Sequence, residues 1–296
     1  MLSKSATLPE GIAECVAELQ NGPIHYYRAG ETGRPIVLLH GGGTDTAWLS
    51  WKKAIPALAP DYRVYAPDWP GHGGSKQYRG KATQEMLEGC LLQLLDAWGL
   101  QKATLVGLSM GASVAAGFTI GHPERVARLV LTDSGGLTER VQWHLLSYLL
   151  LKTPLFPQLT SMLMLNRPSI RYSLEKQFFK SRVPDLDEIV GEVYQELKAK
   201  KSIYSDWQLD EIGPRRLKTF HLPELGRIRC PTLVVNGSLD HLVPVEAAKL
   251  AAEKIPKAKF EVIAGCGHWP NREKPDEFNR ILQAFLKETD ADLPPA

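Results

Sequence analysis

Ala103-Thr104-Leu105-Val106-Gly107-Leu108-Ser109-Met110-Gly111 is the stretch whose reading decides the fold of this 296-residue chain. Residues 103–106 are a short apolar run that reads as a buried strand, and residues 112–120 are small and apolar and read as a helix. G-x-S-x-G alone is a common pattern. Between a strand and a helix it predicts a tight turn that lifts Ser109 above the sheet. Glycine is needed at 107 and 111 because a side chain there would meet the neighbouring strand and helix. A surface serine in a glycine-rich turn is the competing reading, and the apolar flanks weigh against it.

A serine hydroxyl is a poor nucleophile at neutral pH. It needs a base, a carboxylate to orient the base, and donors for the oxyanion. In a strand–turn–helix setting of this kind the acid and then the histidine follow the serine along the chain. Leu233-Val234-Val235-Asn236-Gly237 reads as a buried strand, and Ser238-Leu239-Asp240 follows it. Phe260-Glu261-Val262-Ile263 reads as another strand, and Ala264-Gly265-Cys266-Gly267-His268-Trp269 follows that. Each candidate thus sits just past the C-terminal end of a strand, where open α/β sheets place their sites. His268 is expected to take the proton of Ser109, and Asp240 to hold the imidazole tautomer. Asp133, after the strand-like Leu129-Val130-Leu131-Thr132, is the rival acid; the turn from Asn236 to Asp240 presents Asp240 better.

Pro35-Ile36-Val37-Leu38-Leu39 is a further apolar strand that runs into His40-Gly41-Gly42-Gly43-Thr44. The glycine run lets the backbone aim N–H groups at a developing negative charge, so the amides of Gly42 (Gly43 as the next choice) and Met110 are the expected oxyanion donors. The run has neither phosphate-loop spacing, G-x-x-x-x-G-K-[ST] or G-x-G-x-x-G. His40 reads as a brace for this loop, and the remaining histidines as bystanders.

Composition sets the outer limits. The 35 basic and 33 acidic residues leave a formal charge of +2, which gives no reason to expect a nucleic-acid partner. Four cysteines show no metal or redox spacing and read as thiols in a reducing compartment. The first seven residues hold no apolar segment of the secretory kind. No apolar run approaches the roughly 20 residues of a membrane helix. The expectation is a cytoplasmic protein, monomer or homodimer, acting on a small-molecule substrate, with no cofactor, no metal and no membrane partner.

Along the chain, a hairpin around Asn21-Gly22, a strand at 36–39, a helix over 47–58 and a strand over 62–66 come first. A helix over 86–98 ends at Gly99. The turn segment, the strand at 129–132, a helix at 245–254, the strand at 260–263 and a helix at 277–286 complete an alternation that predicts an α/β fold with a mainly parallel, doubly wound sheet. Residues 135–225 differ: they hold helical apolar runs punctuated by prolines and no evident buried strand. They read as an inserted helical cap, with 1–134 and 226–296 forming the core. A cap excludes water and shapes the pocket. Trp143, Phe178, Trp207 and Trp269 are the chosen pocket walls, with Phe156, Met162, Met164, Phe179 and Tyr204 also available.

Taken together, His40 to Gly43, Asp68-Trp69-Pro70-Gly71-His72-Gly73-Gly74-Ser75, the 107–111 turn, the segment from Cys230 to Asp240 and Gly267-His268-Trp269-Pro270 make the chain resemble the α/β-hydrolase superfamily over nearly its whole length. The resemblance implies a serine hydrolase, since superfamily members that open epoxides or remove halogens carry aspartate where this chain has Ser109. The leading expectation is hydrolysis of a small to medium, largely apolar carboxylic ester or lactone through an acyl-enzyme on Ser109. The second is carbon–carbon bond hydrolysis of the meta-cleavage-product type, whose C-terminal motif resembles the segment from Gly267 to Arg280. That group often has Asn where Leu108 stands, and an anionic dienoate would want a cap arginine such as Arg171, Arg182, Arg215 or Arg216. The third is a slow-turnover ligand receptor on the same fold.

Overall fold

The computed structural model describes residues 8–153 and 155–291; the reading that the first seven residues hold no secretory segment falls outside the described residues. Strand β1 (Ile12–Leu19) turns through Asn21-Gly22 into β2 (Gly22–Ala29), and the two pair antiparallel. Strands β3 (Pro35–Leu39), β4 (Arg63–Pro67), β5 (Ala103–Leu108), β6 (Val126–Thr132), β7 (Thr232–Gly237) and β8 (Ala258–Ile263) follow. The sheet order is β1-β2-β4-β3-β5-β6-β7-β8, parallel from β4 to β8.

Every residue of β5 and β7 is buried, as expected of parallel strands covered on both faces. Helices α1 (Ala47–Trp51), α2 (Ile55–Leu58), α3 (Gln84–Ala97) and α4 (Met110–Gly121) precede β6. The single helix expected over 47–58 is in fact two, because Pro56 near the start of α2 has no N–H to continue the ladder from α1. Thr46 and Thr83 accept from backbone N–H groups at the starts of α1 and α3, the usual answer to unpaired first-turn donors.

Between β6 and β7 come α5 (His144–Lys152), α6 (Leu155–Met164), α7 (Arg167–Ser173), a wide turn over Leu174–Phe178, α8 (Leu186–Lys200) and α9 (Asp206–Glu211). Helices α10 (Val245–Lys254), α11 (Pro270–Glu273) and α12 (Pro275–Asp290) finish the chain. One apolar cluster joins one face of the sheet to the insertion through Ile170, Leu174, Ile189 and Val190; a second packs α3 and α4 on the opposite face, and a small third holds Ala17, Ile24, Cys90 and Leu94.

Candidate active site

Register places the site. Leu39 stands opposite Gly107, Leu108 opposite Thr132, Thr132 opposite Val235, and Gly237 opposite Ile263. Adjacent strands lie about 4.8 Å apart, so the loops after β3, β5, β6, β7 and β8 leave the sheet side by side. Ser109 is held at φ 52° and ψ −112°, a left-handed backbone rarely tolerated outside glycine. The turn is this tight because its flanks are glycines. A Cβ at Gly107 would lie 2.4 Å from Ala112 Cα, and one at Gly111 would lie 2.2 Å from the Leu39 carbonyl oxygen.

His268 Nε2 lies 3.0 Å from Ser109 Oγ, and His268 Nδ1 lies 2.6 Å from Asp240 Oδ2. The other oxygen of Asp240 accepts from the amides of Leu242 and Val243. This arrangement equips Ser109 to lose its proton to Nε2, with the positive ring then facing the Asp240 carboxylate. Asp133 is brought alongside but does not bond His268; its Oδ1 accepts from Gly237 N at 2.9 Å. Burial and then the charge of Asp240 push the Asp133 carboxyl well above the usual carboxylate range, which favours its protonated form. By spacing alone Asp133, Asp240 and His268 are close enough to hold a metal ion, but both ring nitrogens of His268 already face Asp240 and Ser109.

In the glycine loop, Gly41 N donates to Asp45 Oδ2 at 2.7 Å and Asp45 N to the Gly42 carbonyl at 3.3 Å. The Gly41 amide is thereby committed, and Gly41, Gly42 and Gly43 all line the cavity in front of Ser109. His40 is structural. Its Nδ1 donates to the Gly41 carbonyl and its Nε2 accepts from Trp69 N, and burial lowers its pKa to about 4. From α8, Lys200 Nζ donates to the Gly43 carbonyl at 2.7 Å and to His72 Nε2 at 3.3 Å. Burial holds Lys200 at about 8.

The cavity above Ser109 has a volume of about 430 Å³, within the range of small-molecule sites. Of the chosen walls, Phe178 and Trp269 line it, as do Met164 and Tyr204. Trp143 and Trp207 do not, and both are corrected. Trp143 stands ahead of α5 with a left-handed backbone, φ 53°, and is 75% exposed. Trp207 is tied toward α3, its Nε1 donating to Gln84 Oε1 at 2.8 Å. Among the described residues no Lys or Arg lines the cavity. Arg171 is instead paired with Asp187 and Glu175, and Arg215 and Arg216 face a separate surface hollow.

Asp45, Lys200 and Glu273 escaped the sequence reading. Glu273 accepts from Gly267 N and Cys266 Sγ with one oxygen, and from the amides of Lys180 and Ser181 with the other. It therefore fastens the His268 loop to the insertion. Its position on the segment after His268 was the available signal; for Lys200 there was none.

The sequence pattern of the α/β hydrolase fold matches residues 34–275. The chain is 30% identical over 291 residues to the 2-hydroxy-6-oxo-6-phenylhexa-2,4-dienoate hydrolase of Comamonas testosteroni, covering 92% of this chain and 93% of that one. It is also 30% identical to a 2-hydroxy-6-oxononadienedioate/2-hydroxy-6-oxononatrienedioate hydrolase of Pseudomonas putida, over 89% and 91% of the two chains. Among solved structures, the 2-hydroxy-6-oxo-6-phenylhexa-2,4-dienoate hydrolase of Rhodococcus sp. strain RHA1 superposes with a TM-score of 0.73 at 23% identity, over 93% of this chain and 99% of that one. These relatives are named for dienoates and not for carboxylic esters, which overturns the expectation of an ester or lactone hydrolase. With its sheet order, its tight serine turn and this similarity running nearly end to end, the chain belongs to the α/β-hydrolase family.

Proposed function

We propose that the chain is a carbon–carbon bond hydrolase of the meta-cleavage-product type, with Ser109 as nucleophile, His268 as acid and base, and Asp240 as its orienting carboxylate. The observation that carries this reading is the 30% identity to dienoate hydrolases across nine-tenths of both chains, insertion included. The triad distances support it.

A carbon leaving group needs somewhere to put its electrons. In a 2-hydroxy-6-oxo-2,4-dienoate the 2-hydroxyl proton first moves to C5, leaving ketones at C2 and C6 joined through the C3–C4 double bond. Ser109 Oγ then attacks C6 as its proton passes to His268 Nε2. The C5–C6 bond breaks, and its electron pair runs through C4 and C3 to the C2 oxygen. That oxygen takes the proton back from His268, releasing 2-hydroxypenta-2,4-dienoate. Water, deprotonated by His268, then frees the acyl group from Ser109 as a carboxylic acid. The amides of Gly42 and Met110, with Gly43 beside them, are the donors for the C6 oxyanion, each worth about 3–4 kcal/mol in comparable sites.

The lining decides between substrates. Met164, Ile170, Leu174, Phe178 and Val193 suit an apolar group on C6, and the carboxylate at C1 is left to neutral donors such as Thr44, Ser173, Tyr204 and Gln208. A carboxylate in place of the apolar group finds no countercharge there. For location we propose the cytoplasm, in keeping with the free thiols of Cys15, Cys90, Cys230 and Cys266.

The test is loss of dienolate absorbance from 2-hydroxy-6-oxo-6-phenylhexa-2,4-dienoate. Turnover is expected in the wild type and about 10⁶-fold less in Ser109→Ala, with unchanged thermal unfolding. A dienoate panel left intact by the wild type, or cleaved equally by Ser109→Ala, would sink the proposal.

A further inference from the structure

Helices α5 and α6 present an apolar surface that nothing among the described residues covers. On α6, Leu155, Leu159, Met162 and Leu163 recur at helical spacing and are all exposed, Leu155 by 76% and Met162 by 74%. On α5, which packs against α6, Leu145, Leu146 and Leu149 are exposed too, with Trp143 just before the helix and Leu165 just after α6. Water-facing helix surfaces normally carry the polar side of the 3.6-residue pattern. Here it is inverted. Nine large exposed apolar side chains gathered on and beside two touching helices are a patch and not scattered surface leucines.

Within the stretch that forms the patch the formal charges are of one sign. Between positions 140 and 174 the sequence holds Arg140, Lys152, Arg167 and Arg171 and no Asp or Glu. Arg171 is neutralised by Asp187 and Glu175. Burial lowers the pKa of Lys152, and the nearby charges of Lys218 and Lys81 lower it further against the opposing charge of Asp210. A two-fold contact between copies would gather two sets of these cations at one interface, whereas an anionic lipid surface meets them with opposite charge.

The geometry points to an anionic phospholipid surface as the occupant of this face. Helices α5 and α6 lie in the headgroup layer with their leucines, Met162 and Trp143 turned into it. No helix among the described residues is long and apolar enough to cross a membrane, but lying on one requires only an apolar face and a cationic rim. The other side of α6 carries Thr160 and Met164 on the cavity wall. An apolar substrate dissolved in the bilayer therefore has one helix between itself and Ser109. The inference stands whichever bond the enzyme breaks.

The test is co-sedimentation of the full chain with vesicles of phosphatidylcholine alone and of phosphatidylcholine mixed with phosphatidylglycerol. Binding is expected to the mixed vesicles, to weaken with salt, and to blue-shift Trp fluorescence, with that shift much reduced in Trp143→Phe. Lys152→Gln/Arg167→Gln should weaken partition by roughly thirty-fold, about five-fold per charge. Leu155→Glu/Met162→Glu should abolish it while leaving circular dichroism and turnover of a water-soluble substrate unchanged. Absence of binding to mixed vesicles overturns the assignment; if Leu155→Glu/Met162→Glu then splits a dimer, the face joins two copies instead. Equal, salt-insensitive binding to both vesicle types overturns it as well.

Discussion

The floor and the roof of the cavity are built on different terms. The floor is the C-terminal edge of β3, β5, β6, β7 and β8, where strand register leaves each loop one place to go. Its strands β5 and β7 are buried throughout, and a Cβ at Gly107, Gly111 or Gly237 would collide with backbone. The roof is a set of short helices and a wide turn, held to the floor at a few points such as Glu273 and Lys200. Chemistry that depends on tenths of an ångström sits on the rigid part. Substrate choice sits on the part with room to change.

Substitutions can break that contrast or sharpen it. The largest effect is expected within a pair of neighbours on the floor. Asp240→Asn should lower kcat by about 10⁴ by leaving His268 in the wrong tautomer. Asp133→Asn should stay within roughly ten-fold of wild type, because Asp133 does not bond His268 and burial favours its neutral carboxyl, which an amide resembles. Steady-state rates on one dienoate decide it, and a larger loss in Asp133→Asn would reassign the acid.

Next comes a pair of glycines. Gly111→Ala drives a Cβ to 2.2 Å from Leu39 O and should cost more than about 4 kcal/mol of stability. Gly191→Ala, inside α8 with Arg167 Nη1 3.9 Å away as its nearest contact, should add up to about 1 kcal/mol through helix propensity. Urea unfolding of both variants reads the difference between floor and roof directly.

A smaller effect is expected where roof meets floor. Lys200→Met removes the bond to the Gly43 carbonyl, and kcat should fall by about ten-fold, the equivalent of one charge-assisted hydrogen bond. The pH dependence has a definite sign. Lys200 titrates at about 8 in the folded chain against its usual 10.5, so between those values the unfolded chain binds the extra proton. This residue's contribution to stability therefore rises as pH goes from about 8 to 10.5. In Lys200→Met that rise should vanish from the pH series of unfolding free energies.

The smallest change is confined to the roof. Gln177 is exposed yet lines the cavity, so Gln177→Arg supplies a cation without a buried clash. The ratio of kcat/KM for a dioate over a phenyl dienoate should rise severalfold, about 1 kcal/mol, with kcat on the phenyl substrate little altered. An unchanged ratio would show that the absent cation is not what selects the substrate.

The contrast also separates what was legible in the sequence. The parallel sheet and the tight turn at Ser109 were readable because both rest on local patterns: apolar runs, glycine spacing and residues placed just past strand ends. The positions of Asp240 and His268 followed from the same rule, since chain order and strand ends are written locally. The split at Pro56 was also local and was passed over. Reading the wall of the cavity failed for Trp143 and Trp207, because aromatic content does not say which side of a short helix faces inward. The reaction class was likewise misjudged, since one acyl-enzyme triad serves more than one kind of leaving group. Asp133 shows the limit well. Sequence placed it after a strand as it did Asp240, and only the three-dimensional fold set it next to a second carboxylate and gave His268 to its neighbour. By itself the sequence determined the secondary structure and the chemical groups on the sheet edge, through short-range sterics and periodicity. The tertiary structure alone decided which carboxylate faces the imidazole and, among the described residues, that no Lys or Arg lines the cavity and that a leucine-rich face stays uncovered. Each of those depends on which distant segments come to lie side by side.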